Sequence, residues 1–156
     1  METCFISSPL GITKIVGDKN GISEISVLQE GEISKIIPVK LKEAVSQLQE
    51  YFDKKRNNFD FKLNPKGTEF QQKVWQELLN IPFGKTMSYL DLSKKLGDVK
   101  AIRAVASANG KNPLWIVVPC HRVIGTDGSL TGYAGGLWRK KWLLEHENPS
   151  NQQSLF

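Results

Sequence analysis

Cys120, His121 and Arg122 stand side by side, directly after the apolar run Trp115-Ile116-Val117-Val118 and Pro119. A thiolate is a soft nucleophile, and an imidazole can take the proton that makes it one, if a carboxylate or carbonyl orients the ring. The apolar run is short and rich in β-branched residues, so it reads as a buried strand or extended segment. Pro119 ends that segment, because it fixes its own φ and has no N–H for a ladder. Cys120 is therefore expected at a rigid corner between apolar neighbours. On the Cys-His pair alone, a small core residue beside a satisfied imidazole is the better reading. Chemistry requires partners, and the chain holds only 2 cysteines and 2 histidines from which to draw them. Cys4, Cys120, His121 and His146 have no zinc-type spacing, so no metal is expected.

The elements that must hold these groups follow from the pattern upstream. Thr68-Glu69-Phe70-Gln71 fits a capping box, opening a helix whose expected buried stripe is Phe70, Val74, Trp75, Leu78 and Leu79. Ser88-Tyr89-Leu90-Asp91 is a second helix start, running to Leu96, with Gly97 placed as its C-terminal cap. Asp98 caps a third helix from Val99 to about Asn109, ending at Gly110. Two helices joined by so tight a turn give the helix-turn-helix pattern, whose second helix enters a DNA groove; an ordinary helical hairpin has the same pattern. That second helix carries Lys100, Ala101, Arg103, Ala104, Ala106, Ser107 and Ala108. Small side chains allow close approach to a surface, and an arginine among them can reach a phosphate or fill an opened base stack.

Charge supports a polyanion partner. The net charge of +5 lies in the middle of the chain: residues 62–111 carry 9 Lys/Arg against 4 Asp/Glu, while residues 1–61 carry 8 against 9. Gly125 to Gly136 reads as a glycine-rich loop holding Tyr133, a possible pocket wall. Leu137 to Leu144 reads as a last amphipathic helix with Glu145, His146 and Glu147 at its end. The first 63 residues read as a scaffold. Asn20-Gly21 marks a hairpin, Ile33–Ile37 and Phe59–Phe61 read as further short strands, and Leu41, Val45, Leu48 and Phe52 form one helix face. No apolar run is long enough to span a membrane, Met1-Glu2-Thr3-Cys4 does not start a signal peptide, and two cysteines suit a reducing compartment. A cytoplasmic protein is expected, with domains at 1–63 and 64–148 and a disordered tail at 149–156.

Pro119-Cys120-His121-Arg122-Val123, with Asn112-Pro113 before it and Tyr133-Ala134-Gly135-Gly136 and Trp142-Leu143-Leu144-Glu145-His146-Glu147 after it, resembles the O6-alkylguanine-DNA alkyltransferases. The resemblance runs from about Gly67 to Glu147. It implies an α+β protein: a ribonuclease-H-like N-terminal domain and a mainly helical C-terminal domain with a helix-turn-helix. It further implies that Cys120 accepts the alkyl group, His121 is the base acting through a water, Glu147 orients it, and Asn112 braces the turn. Tyr89 would lie by the flipped nucleotide and protonate the base. Arg103 would replace the extruded base, with Lys100, Ala101, Ala104 and Ser107 on the DNA face. Trp115, Val123, Tyr133, Ala134 and Gly135 would line the pocket. The implied partner is double-stranded DNA containing O6-alkylguanine, met by a monomer without cofactor. Ala134 stands where many relatives carry serine, and Trp115 is bulkier than its usual counterpart. A Cys-His-Glu hydrolase and a DNA-binding regulator without chemistry remain the alternatives from the residues alone.

Overall fold

The computed structural model describes residues 1–130, 133 and 135–149 and divides into two compact units. The first comprises residues 1–66 and 113–117. Its strands β1 (Glu2–Ser8), β2 (Gly11–Asp18) and β3 (Gly21–Leu28) form an antiparallel meander in that order. The β2–β3 turn is set by Asn20-Gly21. Asp18 Oδ1 accepts the Asn20 N–H at 2.8 Å, and Gly21 takes φ +125°, which an L side chain rarely adopts. Period-2 alternation puts Cys4, Ile6, Ile15 and Ile25 on one buried face. That face is covered by a 3-10 turn (Val39–Leu41) and α1 (Lys42–Phe52), which contribute Leu41, Val45, Leu48 and Tyr51 to the core.

Three stretches read as strands are not strands. Ile33–Ile37 is irregular, with Ile33 and Ile36 exposed; only Ser34 meets β1, trading bonds with Phe5 at 2.9 Å. Phe59–Phe61 makes a ring cluster with Tyr51, and Gln47 takes the Asp60 backbone N–H, which is thereby withheld from a ladder. Trp115–Val118 is a turn. Leu114 bridges β3, through Ile25 N–H to Pro113 O at 2.8 Å and Trp115 N–H to Ile25 O at 3.0 Å. Then Val117 N–H bonds back to Trp115 O at 2.8 Å, with Ile116 at φ +71°. A β-branched residue in that region is strained, and its burial is what holds it there. Apolar composition reported burial correctly at this segment and geometry wrongly.

The second unit comprises residues 67–112 and the chain from Val118 onward. Helix α2 (Glu69–Leu78) has the expected capping box: Thr68 Oγ1 accepts from Gln71 N–H at 3.1 Å and Gln71 Oε1 from Thr68 N–H at 2.9 Å. Its buried stripe is Val74, Trp75 and Leu78, each worth about 1.5–3 kcal/mol in burial; Phe70 and Leu79, expected in the stripe, are 38% and 42% exposed. Trp75 lies over Gly67, where a Cβ would come within 2.4 Å of its ring, and donates Nε1–H to Ala108 O at 2.8 Å. That bond fixes the end of α4 (Ile102–Gly110) against α2. Helix α3 (Tyr89–Lys95) is capped by Ser88 and closed by a Schellman motif. There Gly97 N–H bonds to Lys94 O at 3.0 Å and Asp98 N–H to Ser93 O at 3.1 Å, with Gly97 at φ +92°. Asp98 then caps a 3-10 turn, Val99–Ala101, that feeds α4, so the helix starts a turn later than expected. Two short parallel strands, β4 (Met87–Ser88) and β5 (Val123–Ile124), tie the start of α3 to the residues after the cysteine. Helix α5 (Leu137–Glu147) closes the unit.

Candidate active site

Cys120 opens a 3-10 turn, Cys120–Arg122, between Pro119 and β5. Pro119 at φ −81° and ψ 65° bends the chain so that Cys120 N–H bonds to Val118 O at 2.8 Å. Asn112 Nδ2 donates to the same carbonyl at 2.7 Å, pinning the chain where it re-enters this unit, and its side chain also reaches the thiol. The corner was legible from proline, and the Asn112 brace only from the family resemblance.

Behind the sulfur, three ionisable groups meet out of water. His121 is 0% exposed, and its Nε2 lies 2.8 Å from Glu147 Oε2. Arg122 holds both oxygens of the same carboxylate, Nε to Oε1 at 2.8 Å and Nη2 to Oε2 at 3.0 Å. Its Nη1 donates to Ile81 O at 2.7 Å, and its guanidinium lies 5.8 Å from the Phe83 ring centroid. Burial opposes ionisation of Glu147, but His121 and the arginine fork outweigh it and hold the carboxyl well below the usual carboxylate range. Burial pushes His121 below its ordinary value, against the pull of Glu147. Arg122 balances the buried negative charge, and burial favours the neutral form of the imidazole. A carboxylate on Nε2 requires the proton there, which leaves Nδ1 a bare acceptor; it meets no protein donor among the described residues. The ion pair gives Arg122 the partner that a buried guanidinium requires.

A cation that sequence reasoning missed also acts on the sulfur. Lys140 is 0% exposed, and its Nζ lies 5.9 Å from the Tyr89 ring centroid. Burial pulls its pKa down to about 8, while the nearby thiol raises it. Burial raises the Cys120 thiol, and Asn112, Lys140 and Tyr133 oppose that rise. Lys140 acts on the thiol through its positive charge. The signal was present: Lys140, Leu143, Leu144 and Glu147 are the buried stripe of α5, an apolar seam with opposite charges at its two ends.

The other expected residues fall as follows. Tyr89 begins α3, and Asn109 of α4 links its hydroxyl to the Cys120 carbonyl. Val123 is fully buried in β5, and Gly135 O accepts from Arg139 Nη1 at 2.7 Å. Trp115 belongs to the first unit, where it is 6% exposed. Ala134 and the tail from Ser150 lie outside the described residues. On α4, Arg103, Ala104 and Ser107 are exposed at spacings of three and four, while Val105, Ala108 and Asn109 face inward; Lys100, exposed, and Ala101, half-buried, lie in the 3-10 turn that precedes it.

A sheet-and-helix unit is followed by a helical unit that buries a thiol, a His-carboxylate-Arg cluster and a lysine, a set of groups suited to group-transfer chemistry at a cysteine. Residues 3–65 match the family profile "6-O-methylguanine DNA methyltransferase, ribonuclease-like domain", and residues 69–149 match its "DNA binding domain". A methylated-DNA–protein-cysteine methyltransferase of Methanosarcina barkeri is 43% identical over 149 residues, covering 91% of this chain and 94% of that protein. The crystal structure of Mycobacterium tuberculosis O6-methylguanine methyltransferase superposes with a TM-score of 0.85 at 41% identity, over 95% of this chain and 93% of that one. The structure of Mycobacterium tuberculosis OGT in complex with DNA gives 0.85 at 43%, over 93% and 91%. The chain belongs to the methylated-DNA–protein-cysteine methyltransferase family.

Proposed function

We propose that this chain repairs alkylated DNA by moving the alkyl group of O6-alkylguanine, and of O4-alkylthymine, irreversibly onto Cys120. The buried thiol, acted on by the Lys140 cation and followed in the chain by the buried His121-Arg122 pair on Glu147, is the observation that carries the reading. The partner is double-stranded DNA, met by a monomer in the cytoplasm without cofactor; among the described residues no helix is long and apolar enough to cross a membrane. The exposed face of α4 enters the groove as the second helix of a helix-turn-helix, with Lys100 on phosphate and small residues allowing close approach. A base inside a duplex cannot reach a buried sulfur, so it is extruded, and Arg103 fills the gap. Unstacking costs a few kcal/mol, least for a modified and poorly paired base.

The thiol proton passes through a water to His121 Nδ1, and Lys140 stabilises the thiolate. The sulfur attacks the alkyl carbon, the C–O6 bond breaks, and its electron pair goes to guanine. Tyr89 protonates the leaving base, which lowers the barrier. The carbonyls of Cys120 and Val123 accept from the exocyclic amine, and Tyr133, Ala134 and Gly135 form the pocket wall. A thioether has no leaving tendency and no group here can cleave it, so each chain acts once. Mass spectrometry after mixing with O6-methylguanine oligonucleotide tests this. The expected result is a gain of about 14 Da on the peptide holding Cys120, at roughly one per chain. Repeated turnover, as of a Cys-His-Glu hydrolase, or DNA binding with an unmodified thiol, as of a regulator, would overturn it.

A further inference from the structure

Arg139 takes part in no step above, yet its side chain holds the stretch that carries Tyr133. The chain turns from Tyr133 to Gly136, with Gly136 N–H on Tyr133 O at 2.9 Å, and α5 starts at once. Gly136 is the N-cap of that helix, at φ +92°, and no side chain caps it. Its carbonyl takes the N–H groups of Arg139 and Lys140 at 3.1 and 3.3 Å. Arg139 then reaches back with Nη1 to Gly135 O at 2.7 Å, a charge-assisted bond to a carbonyl outside the helix. A Cβ on Gly135 would come within 3.1 Å of the Tyr133 ring and 3.4 Å of Arg139 Cδ, so ring and stem meet where glycine has no side chain. The guanidinium lies 4.4 Å from the Trp138 ring centroid, and Trp138 is 55% exposed. A tryptophan so open gains little by burial, but stacking on it holds the planar guanidinium in the orientation the carbonyl needs. Tyr133 in turn is one of the groups that act on the Cys120 thiol.

We propose that Arg139 is a positioning residue that fixes the Tyr133 side of the alkyl pocket and so sets how large an alkyl group reaches Cys120. The inference rests on the alkyl-transfer reading above, with Tyr133 and Gly135 in the pocket wall. A methyl group needs no more room than the wall leaves while Gly135 is tied to Arg139. A benzyl group needs the Tyr133 ring to retreat, and the ring can retreat only if the Gly135 bond breaks or the arginine stem moves from beside it. Because the guanidinium is stacked on Trp138, moving that stem also costs the stacking contact. Arg139 therefore acts through Tyr133 and Gly135, and its effect grows with the size of the group transferred. Removing the guanidinium releases the wall, which favours large groups and leaves a small one less well held against the sulfur.

Selectivity between two alkyl groups tests this. Second-order rate constants for single-turnover transfer are measured for wild type and Arg139→Met on one duplex carrying either O6-methylguanine or O6-benzylguanine, with melting temperatures alongside. Methionine keeps most of the stem and removes the guanidinium. Arg139→Met is expected to slow methyl transfer about threefold and to raise the benzyl-to-methyl ratio at least about fivefold, while melting within about 4 °C of wild type. A ratio that is unchanged or lower would overturn the inference, since a merely loosened fold slows both groups alike. If Arg139→Met melts far below wild type, Trp138→Ala, which unstacks the guanidinium at an exposed position, decides by the same direction of the ratio. Wild-type protein that left both duplexes alkylated would sink the alkyl-transfer reading itself, a failure distinct from an unchanged ratio.

Discussion

Replacing Lys140 by methionine should make the protein more stable and less reactive at once. Methionine matches the length of the lysine stem and is at home in an apolar seam. Lys140 is fully buried, and its pKa is pulled down to about 8 from an ordinary 10.5, with burial the main cause. The folded state therefore binds fewer protons than the unfolded state between those two values. Stability gains from this group as pH rises from about 8 to about 10.5, and at pH 7 the fold carries the full penalty. A shift of this size is worth about 3 kcal/mol. Lys140→Met should thus raise the unfolding free energy at pH 7 by about 2–3 kcal/mol, less whatever favourable contact the ammonium makes. The advantage should shrink steadily above pH 8. The same substitution removes the cation facing the sulfur, so the thiol pKa moves up and alkylation at pH 7 slows roughly tenfold or more. Urea unfolding at pH 7 and pH 9.5 reads the first effect, and the pH profile of iodoacetamide labelling of Cys120 reads the second. A variant less stable than wild type at pH 7, or one whose labelling profile does not move, would refute the reasoning.

Three further outcomes follow from the geometry. Glu147→Gln removes the charge that Arg122 holds in a fork while keeping the size. It should cost about 3–5 kcal/mol by stranding a buried guanidinium, and should slow thiol labelling at pH 7; a stable variant with an unchanged profile would contradict the cluster. The Glu147 carboxyl is held below its ordinary value, so in wild type the pair's stabilisation is complete above the usual carboxylate range. It should be lost as pH falls below about 4, a loss that urea unfolding should find missing from Glu147→Gln. Arg103→Ala should slow repair of duplex DNA by at least about tenfold more than it slows reaction with free alkylguanine, because only the duplex needs its gap filled; equal losses would reject the finger role.

What could be read before folding was whatever is local. The capping box at Thr68 and the Gly97 closure of α3 depend on residues within one turn of each other, and both appear as expected. The strands at Ile33 and Phe59 failed because a short apolar run states only that side chains want cover. Whether a neighbour offers a ladder is decided elsewhere, and here Gln47 had already taken the backbone donor at Asp60. At Trp115–Val118 the same ambiguity hid a strained turn at Ile116, which no propensity favours. The site divides the same way. Cys120, His121 and Arg122 are adjacent in the chain, and their chemistry could be suspected at once. Their partners come from Ile81, Asn109, Asn112, Lys140 and Glu147, spread over two helices and the segments that follow α2 and α4. Glu147 entered only through family resemblance, and Lys140 not at all. Yet both stood in one readable pattern, charges set into the buried face of α5, where a solvated helix would have kept them outside. A buried charge on an apolar seam is expensive, so it implies a partner even before the partner is known. Applied to the whole chain, that rule finds the lysine from sequence and leaves only the direction in which it points for the structure to supply.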